Sequence, residues 1–172
     1  MTKNLEISRL QIKNWKNFAN ADVAIQNRLF LVGPNASGKS NFLDIFRFLK
    51  DLASSGGGFQ EAVHRRDGVS AIRCLAARRY PDVEIYIELK DSIGTARWKY
   101  EIAFNQDKQR RPLLKKERVL HDGQEILSRP NDEDGNDPTR LTQTYLEQVN
   151  VNRPFRDLAT FFESIRYLHI VP

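Results

Sequence analysis

The 172 residues carry 27 Lys and Arg against 22 Asp and Glu, a formal charge of +5, with 40% apolar residues, 28% charged residues and one cysteine. This composition is that of an ordinary globular chain and excludes an intramolecular disulfide framework, and a chain of this length can bury roughly 70% of the surface its unfolded form exposes. One domain with one core is expected. The single thiol, Cys74, fits a reducing compartment; no run approaches the ~18 apolar residues of a membrane span, and MTKNLEISRL lacks the apolar block of an export signal, so the expected location is the cytoplasm. Charge by itself names no partner, because +5 falls short of a clustered basic stripe.

In chain order, residues 4–12 and 21–32 read as strands, through Leu5, Ile7, Leu10 and Ile12 and then the short apolar run at 28–32. From Lys39 the period changes: Phe42, Ile45, Phe46, Leu49, Leu52 and Ala53 have the spacing of a helix laid on a sheet. Three consecutive glycines, Gly56 to Gly58, stop it and predict a mobile loop or linker over 54–60. A short helix at 61–65 and a strand at 71–75 follow. Val83, Ile85, Ile87 and Leu89 alternate with polar residues, as do Trp98, Tyr100, Ile102 and Phe104. Only 91–95 lies between these runs, too short for a parallel crossover, so the two pair as an antiparallel hairpin.

Residues 113–120 and 124–128, joined by Asp122-Gly123, extend that hairpin. The stretch 130–137 reads as a solvated acidic loop; a calcium site would need ligands at fixed offsets and a distant Glu, which this stretch lacks. Asp137 as N-cap and Pro138 at the first helical position open a helix through roughly Asn150, a second helix starts near Asn152, and 166–171 reads as a final strand. A buried strand needs neighbours on both sides, so the chain is expected to be one piece of a larger fold. The segments are thus 1–53 (strands, loop and helix), 54–82 (Gly-rich loop and an ambiguous stretch), 83–128 (antiparallel hairpins) and 129–172 (acidic loop, two helices and final strand).

Chemistry is carried by residues 33–40, GPNASGKS, which match G-x-x-x-x-G-K-[ST] in full. The residue types follow from the task of holding phosphate. Gly33 and Gly38 let the backbone bend so that successive N–H groups, with Pro34, Asn35, Ala36 and Ser37 between them, surround phosphate oxygens. The helix opening at Lys39 adds its positive dipole end. Lys39 would bridge the β- and γ-phosphates, the Ser40 hydroxyl would join the coordination shell of Mg²⁺, and Asn41 would lie near the α-phosphate. The expected ligand is a nucleoside triphosphate with magnesium.

The run ISRLQIKNWKNF…LFLVGPNASGKSNFLDIFRFL resembles the N-terminal part of the ABC-type ATPase heads found in SMC proteins, RecF and the overcoming-lysogenization-defect nucleases. These pair an opening L-x-I-x-N strand and a following F with a G-P-N-x-(S/A)-G-K-S-N loop; RYLHIVP at the end looks like the strand before the Q-loop in stand-alone AAA-family ATPases of this group. Ala36 stands where many relatives have Gly. The resemblance implies an α/β fold: a P-loop NTPase lobe with an antiparallel β layer and flanking helices, incomplete in this chain. It implies ATP and Mg as cofactors and brings Lys16 and Asn17 near the nucleotide, although Trp15 and Phe18 also read as core and Lys16 as solvated. It further implies a Q-loop, signature helix, Walker B pair and switch histidine, none of which is present. Partners implied are the C-terminal half of the head or a second copy (a head dimer), a TOPRIM, HNH or coiled-coil effector, and DNA. Several stand-alone members act in bacterial anti-phage defence, with DNA repair the next role.

Rival readings remain at this point. Residues 54–60 superficially resemble a signature motif but precede no Asp-Glu strand. Asp91-Ser-Ile-Gly94 fits the D-x-x-G of a small GTPase, and Arg110, Arg111, Lys115, Lys116 and Arg118 could be the arginine cluster of a small-molecule kinase or simply a wet strand face. A third reading is a nucleotide-binding or interaction fragment that hydrolyses nothing, since no carboxylate stands where it would polarise water. His64, His121 and His169 have no partner at metal-ligand spacing.

Overall fold

The computed structural model describes residues 5–75 and 81–168. Six strands form one sheet: β1 (Glu6–Trp15), β2 (Phe18–Ala24), β3 (Val83–Lys90), β4 (Ala96–Gln106), β5 (Pro112–His121) and β6 (Gln124–Arg129). Their order is β2-β1-β3-β4-β5-β6, and every adjacent pair is antiparallel. Alternation dictated this arrangement. Val83, Ile85, Ile87 and Leu89 on β3 and Trp98, Tyr100, Ile102 and Phe104 on β4 all point to the buried face. Asp91 organises the turn between them, its Oδ1 accepting the N–H groups of Ile93 (3.1 Å) and Thr95 (3.0 Å) and its Oδ2 the Nε of Arg97 (2.9 Å). The D-x-x-G match is therefore a hairpin turn.

Helices cover one face. In α1 (Lys39–Ala53), Phe42, Ile45, Phe48, Leu49 and Leu52 are buried, the stripe its sequence period predicts. Phe48 meets Trp15 edge-on (5.3 Å between centroids) and stacks on Phe104 (5.5 Å). Beside it lie α2 (Phe59–His64), the single turn α3 (Val69–Ile72) and, after the short α4 (Asp132–Asn136), α5 (Arg156–Ser164), whose Phe162 meets Tyr100 at 5.6 Å. The other sheet face is wet and laced with cross-strand pairs such as Lys13–Glu84 (2.7 Å). None of the described helices is long and apolar enough to cross a membrane.

Several expectations change. Residues 28–32 form no strand: Leu31 packs on the core, but Phe30 is 81% and Val32 93% exposed, because no strand among the described residues runs beside them. The glycines after α1 make a tight turn held by Gly57 N to Ser54 O (2.9 Å) and Gly58 N to Asp51 O (2.9 Å), not a linker. A Cβ at Gly57 would lie 2.2 Å from the Asp51 carbonyl oxygen. Residues 69–72 turn helically, and only Arg73 keeps a strand-like bridge, to Trp15. Of the final strand expected at 166–171, residues 166–168 are irregular and 169–171 lie outside the described residues.

The helix expected from 138 to 150 stops after the 3-10 turn Pro138–Thr142, although Asp137 caps it as the sequence predicts (Thr139 N, 3.1 Å). The reason lies on β5. Glu117, wholly buried, accepts the N–H groups of Tyr145 (2.8 Å) and Leu146 (3.2 Å), so these amides are drawn away from helical partners. Arg129 Nη1 binds Glu117 (3.0 Å) and the Gln143 carbonyl (3.0 Å), and its Nη2 binds Asp134 (2.7 Å). Asp134 closes a capping box with Asn131. The acidic loop is thus folded around one buried arginine.

Removing Arg129 strands two buried carboxylates, so Arg129→Met should destabilise the fold by about 3–5 kcal/mol in urea unfolding. Burial opposes ionisation of Asp134, but hydrogen bonds from Arg129, the Asn131 amide and Arg140 outweigh it and hold its carboxyl below the ordinary aspartate value. Stability from Asp134 is therefore complete above that ordinary value and is lost as pH falls through the lower folded one. Asp134→Asn should lower the melting temperature at neutral pH and make the loss of stability on acidification shallower.

Candidate functional site

The loop at 33–38 delivers its chain into the N-terminus of α1, where Gly38 serves as N-cap with φ +99° and no side chain caps the first turn. The leading N–H groups of a helix have no helical acceptor, and here no side chain accepts from them as a cap. Lys39 folds back along the loop: its Nζ donates to the carbonyls of Gly33 (2.8 Å) and Pro34 (2.7 Å) and lies 3.4 Å from Ser37 Oγ. These contacts aim the ammonium into the bend. A Cβ on Gly33 would meet Ser37 Oγ at 2.8 Å. Ala36 sits at φ +63°, the left-handed region that costs an L-residue about 1–2 kcal/mol, which accounts for the glycine of many relatives at this position.

The turn between β1 and β2 is bolted onto this loop. Trp15, fully buried, donates its indole N–H to the Asn41 carbonyl (2.9 Å). Asn17 accepts from Asn41 Nδ2 (2.9 Å), and its own Nδ2 lies 3.5 Å from the Ser37 carbonyl. Asn14 and Lys16 both adopt left-handed backbone (φ +58° and +51°), held there by Cys74 N to Asn14 O (2.9 Å) and Lys16 N to Ile72 O (2.6 Å). The Lys16 side chain lines a separate cavity of about 290 Å³ with Asp44, Arg47, Asp51, Arg65, Arg66 and Asp67.

Of the residues singled out in sequence, Gly33, Pro34, Ser37, Gly38, Lys39, Asn41 and Asn17 are brought into mutual contact. Ser40 is exposed on the first turn and Asn35 and Ala36 form the loop tip. Lys16 is next to Asn17 in sequence but reaches the adjoining cavity instead of the loop. The indole bolt of Trp15 and the backbone anchors at Ile72 and Cys74 lack any local sequence signal, since each joins segments 26 to 60 residues apart. The site has phosphate-binding groups, and the two carboxylates on α1 are already engaged: Asp44 and Asp51 by Arg66 (2.9 and 2.8 Å) and Asp51 also by Arg65 (3.1 Å). The donor set suits the phosphates of a nucleotide, and the Ser40 hydroxyl suits a hard cation.

Two family models align over this stretch. Residues 7–49 match the P-loop containing region of AAA domains. Endonuclease GajA of Bacillus cereus (strain VD045) is 34% identical over 72 residues, 41% of this chain and 12% of that protein, so the chain spans a small part of this relative. A second family model, described as an AAA domain, putative AbiEii toxin, Type IV TA system, matches residues 29–166. Because that match takes in the phosphate loop and most of the chain, the protein belongs to this family of AAA domains.

Proposed function

We propose that the chain binds Mg-ATP through residues 33–41 as the N-terminal lobe of an ABC/SMC-like ATPase head that hydrolyses ATP once Walker B and signature elements complete it. One observation carries this reading. The apolar run at 28–32 leads straight into a formed phosphate loop, yet Phe30 and Val32 lie bare. An extended apolar segment with unpaired backbone is stable when strands flank it, so a further strand, from more of the same polypeptide or from another chain, fits beside it.

Within the site, Lys39 supplies a point charge between the terminal phosphates and the N–H groups of 35–40 wrap their oxygens. Ser40 would hold Mg²⁺, which supplies charge neutralisation on the phosphate oxygens when bound. Asn17 keeps the loop against β1. With Asp44 and Asp51 bound to arginines, water activation falls to a carboxylate from the completing half, so the chain by itself binds without hydrolysing. The resemblance to GajA, an endonuclease by name, supports a DNA-linked role. Within such a role we favour anti-phage defence, then DNA repair, with a head dimer acting on a nuclease effector in the cytoplasm.

Calorimetry with Mg-ATP should detect binding that weakens at least about 100-fold in Lys39→Ala, a loss of roughly 2.7 kcal/mol, with turnover at background in both. Turnover that depends on Lys39 would place the catalytic carboxylate inside these residues and sink the half-head reading. Gly38→Ala should also weaken binding, about tenfold or more, and lower the melting temperature: the new Cβ would stand 2.3 Å from Asn17 Nδ2 at a left-handed φ.

A further inference from the structure

Strand register gathers three segments at one end of the sheet. Near that end Lys13 on β1 lies opposite Glu84 on β3, Val83 opposite Phe104, and Gln106 opposite Pro112. The β1–β2 turn, the start of β3 and the β4–β5 turn therefore share a rim, the same rim on which the phosphate loop is docked through Trp15 and Asn41. Arg73 joins it by bridging Trp15.

Several acids on this rim are already engaged, by Lys13, Asn105 and Arg111 among others, while four of its cations are not. Asp107 accepts from Gln109 N (2.9 Å), Arg111 N (2.8 Å) and Arg111 Nε (2.7 Å), which fixes the β4–β5 turn, and Asp82 accepts from Asn105 (2.6 Å). Of the basic run seen in sequence, Lys116 pairs with Glu101 and Arg118 with Glu101 and Glu125, on the wet sheet face. Lys108 and Arg110 are exposed at the turn, and they, Lys16 and Arg73 have no ion-pair partner among the described residues.

We propose that this rim is a contact surface for the phosphate backbone of duplex DNA, centred on Lys108 and Arg110. The inference rests on the DNA-linked part of the proposed function and not on nucleotide binding. From β1 to β5 the rim spans three strand spacings, about 14 Å, which faces about four phosphates of one strand at 3.4 Å of axial rise each. Four cations, Lys16, Arg73, Lys108 and Arg110, are distributed along it. A turn with no apolar residue between Asp107 and Arg111 has nothing to insert into a bilayer, and it offers no aromatic anchor to a protein partner.

Fluorescence anisotropy of the 172-residue chain with a labelled duplex of about 20 base pairs, over about 50 to 200 mM salt, tests this. The expected slope of log K against log salt is roughly −3.6 for four neutralised phosphates. Lys108→Glu with Arg110→Glu should weaken binding at least about tenfold and flatten the slope by about 2. Arg110→Gly, which suits the φ of +64° there, provides a second variant if the double one does not fold. Lys90→Glu with Arg153→Glu, the same charge change placed away from the rim, should leave binding within about threefold of the parent.

Lys39→Ala should keep duplex binding while losing ATP, so failure of the nucleotide reading and failure of the rim are distinguishable. The proposal is overturned if the parent does not bind duplex, if the rim and control variants weaken equally, or if duplex binding disappears with Lys39. Binding to vesicles rich in phosphatidylserine with none to duplex would overturn it in favour of a membrane surface.

Discussion

A buried indole holds the phosphate loop to the sheet. Trp15 closes β1, packs against Phe48 inside the core and spends its N–H on the Asn41 carbonyl in the first turn of α1. That carbonyl belongs to the residue whose side chain also engages Asn17, so sheet and loop meet through two adjacent hydrogen bonds. A phosphate cradle works only if its N–H groups are held in place before the ligand arrives, and a flexible glycine loop cannot hold itself. Here rigidity comes from the sheet, through a side chain too large and too buried to move independently.

The strain in this junction has the same origin. Asn14 and Lys16 are held in left-handed backbone on either side of Trp15, and the segment at 72–74 fixes them through main-chain hydrogen bonds. Without those anchors the turn would relax toward ordinary geometry and carry the indole with it. Packing of α3 thereby supports the phosphate loop through β1.

At the other side of the sheet, a buried charge network does comparable work on the segment after β6. Glu117 stands on a strand whose neighbours Lys115, Lys116 and Arg118 face solvent, and the shift of register between Ala103 and Phe104 turns it inward. Once inside, a carboxylate requires donors. It finds Arg129 and two backbone amides, and the chain from 129 to 147 wraps to supply them. Such a network adds little net stability compared with an apolar core, but it admits one path for that segment.

Local chemistry made much of the molecule legible from sequence. The alternation in β3 and β4, the stripe of α1, the Asp137 cap and the GPNASGKS loop each depend on residues within a few positions of one another, where side-chain periodicity and turn geometry decide the outcome. What sequence alone could not settle were the long-range terms. The run at 28–32 reads as a buried strand because its residues are apolar, but burial requires neighbouring strands that only the tertiary arrangement could grant, and among the described residues it does not. Gln143 to Asn150 has the pattern of a helix and loses it to Glu117, some 28 residues away. Lys16 and Asn17, adjacent in sequence, go to different places because the left-handed turn between β1 and β2 points one side chain at the loop and the other at the cavity beside α1. Sequence by itself determined the phosphate-loop signature and the antiparallel hairpins, since both are written in short-range spacing; which apolar and charged groups are buried was decided by the tertiary structure, because burial is a property of neighbours brought from far along the chain.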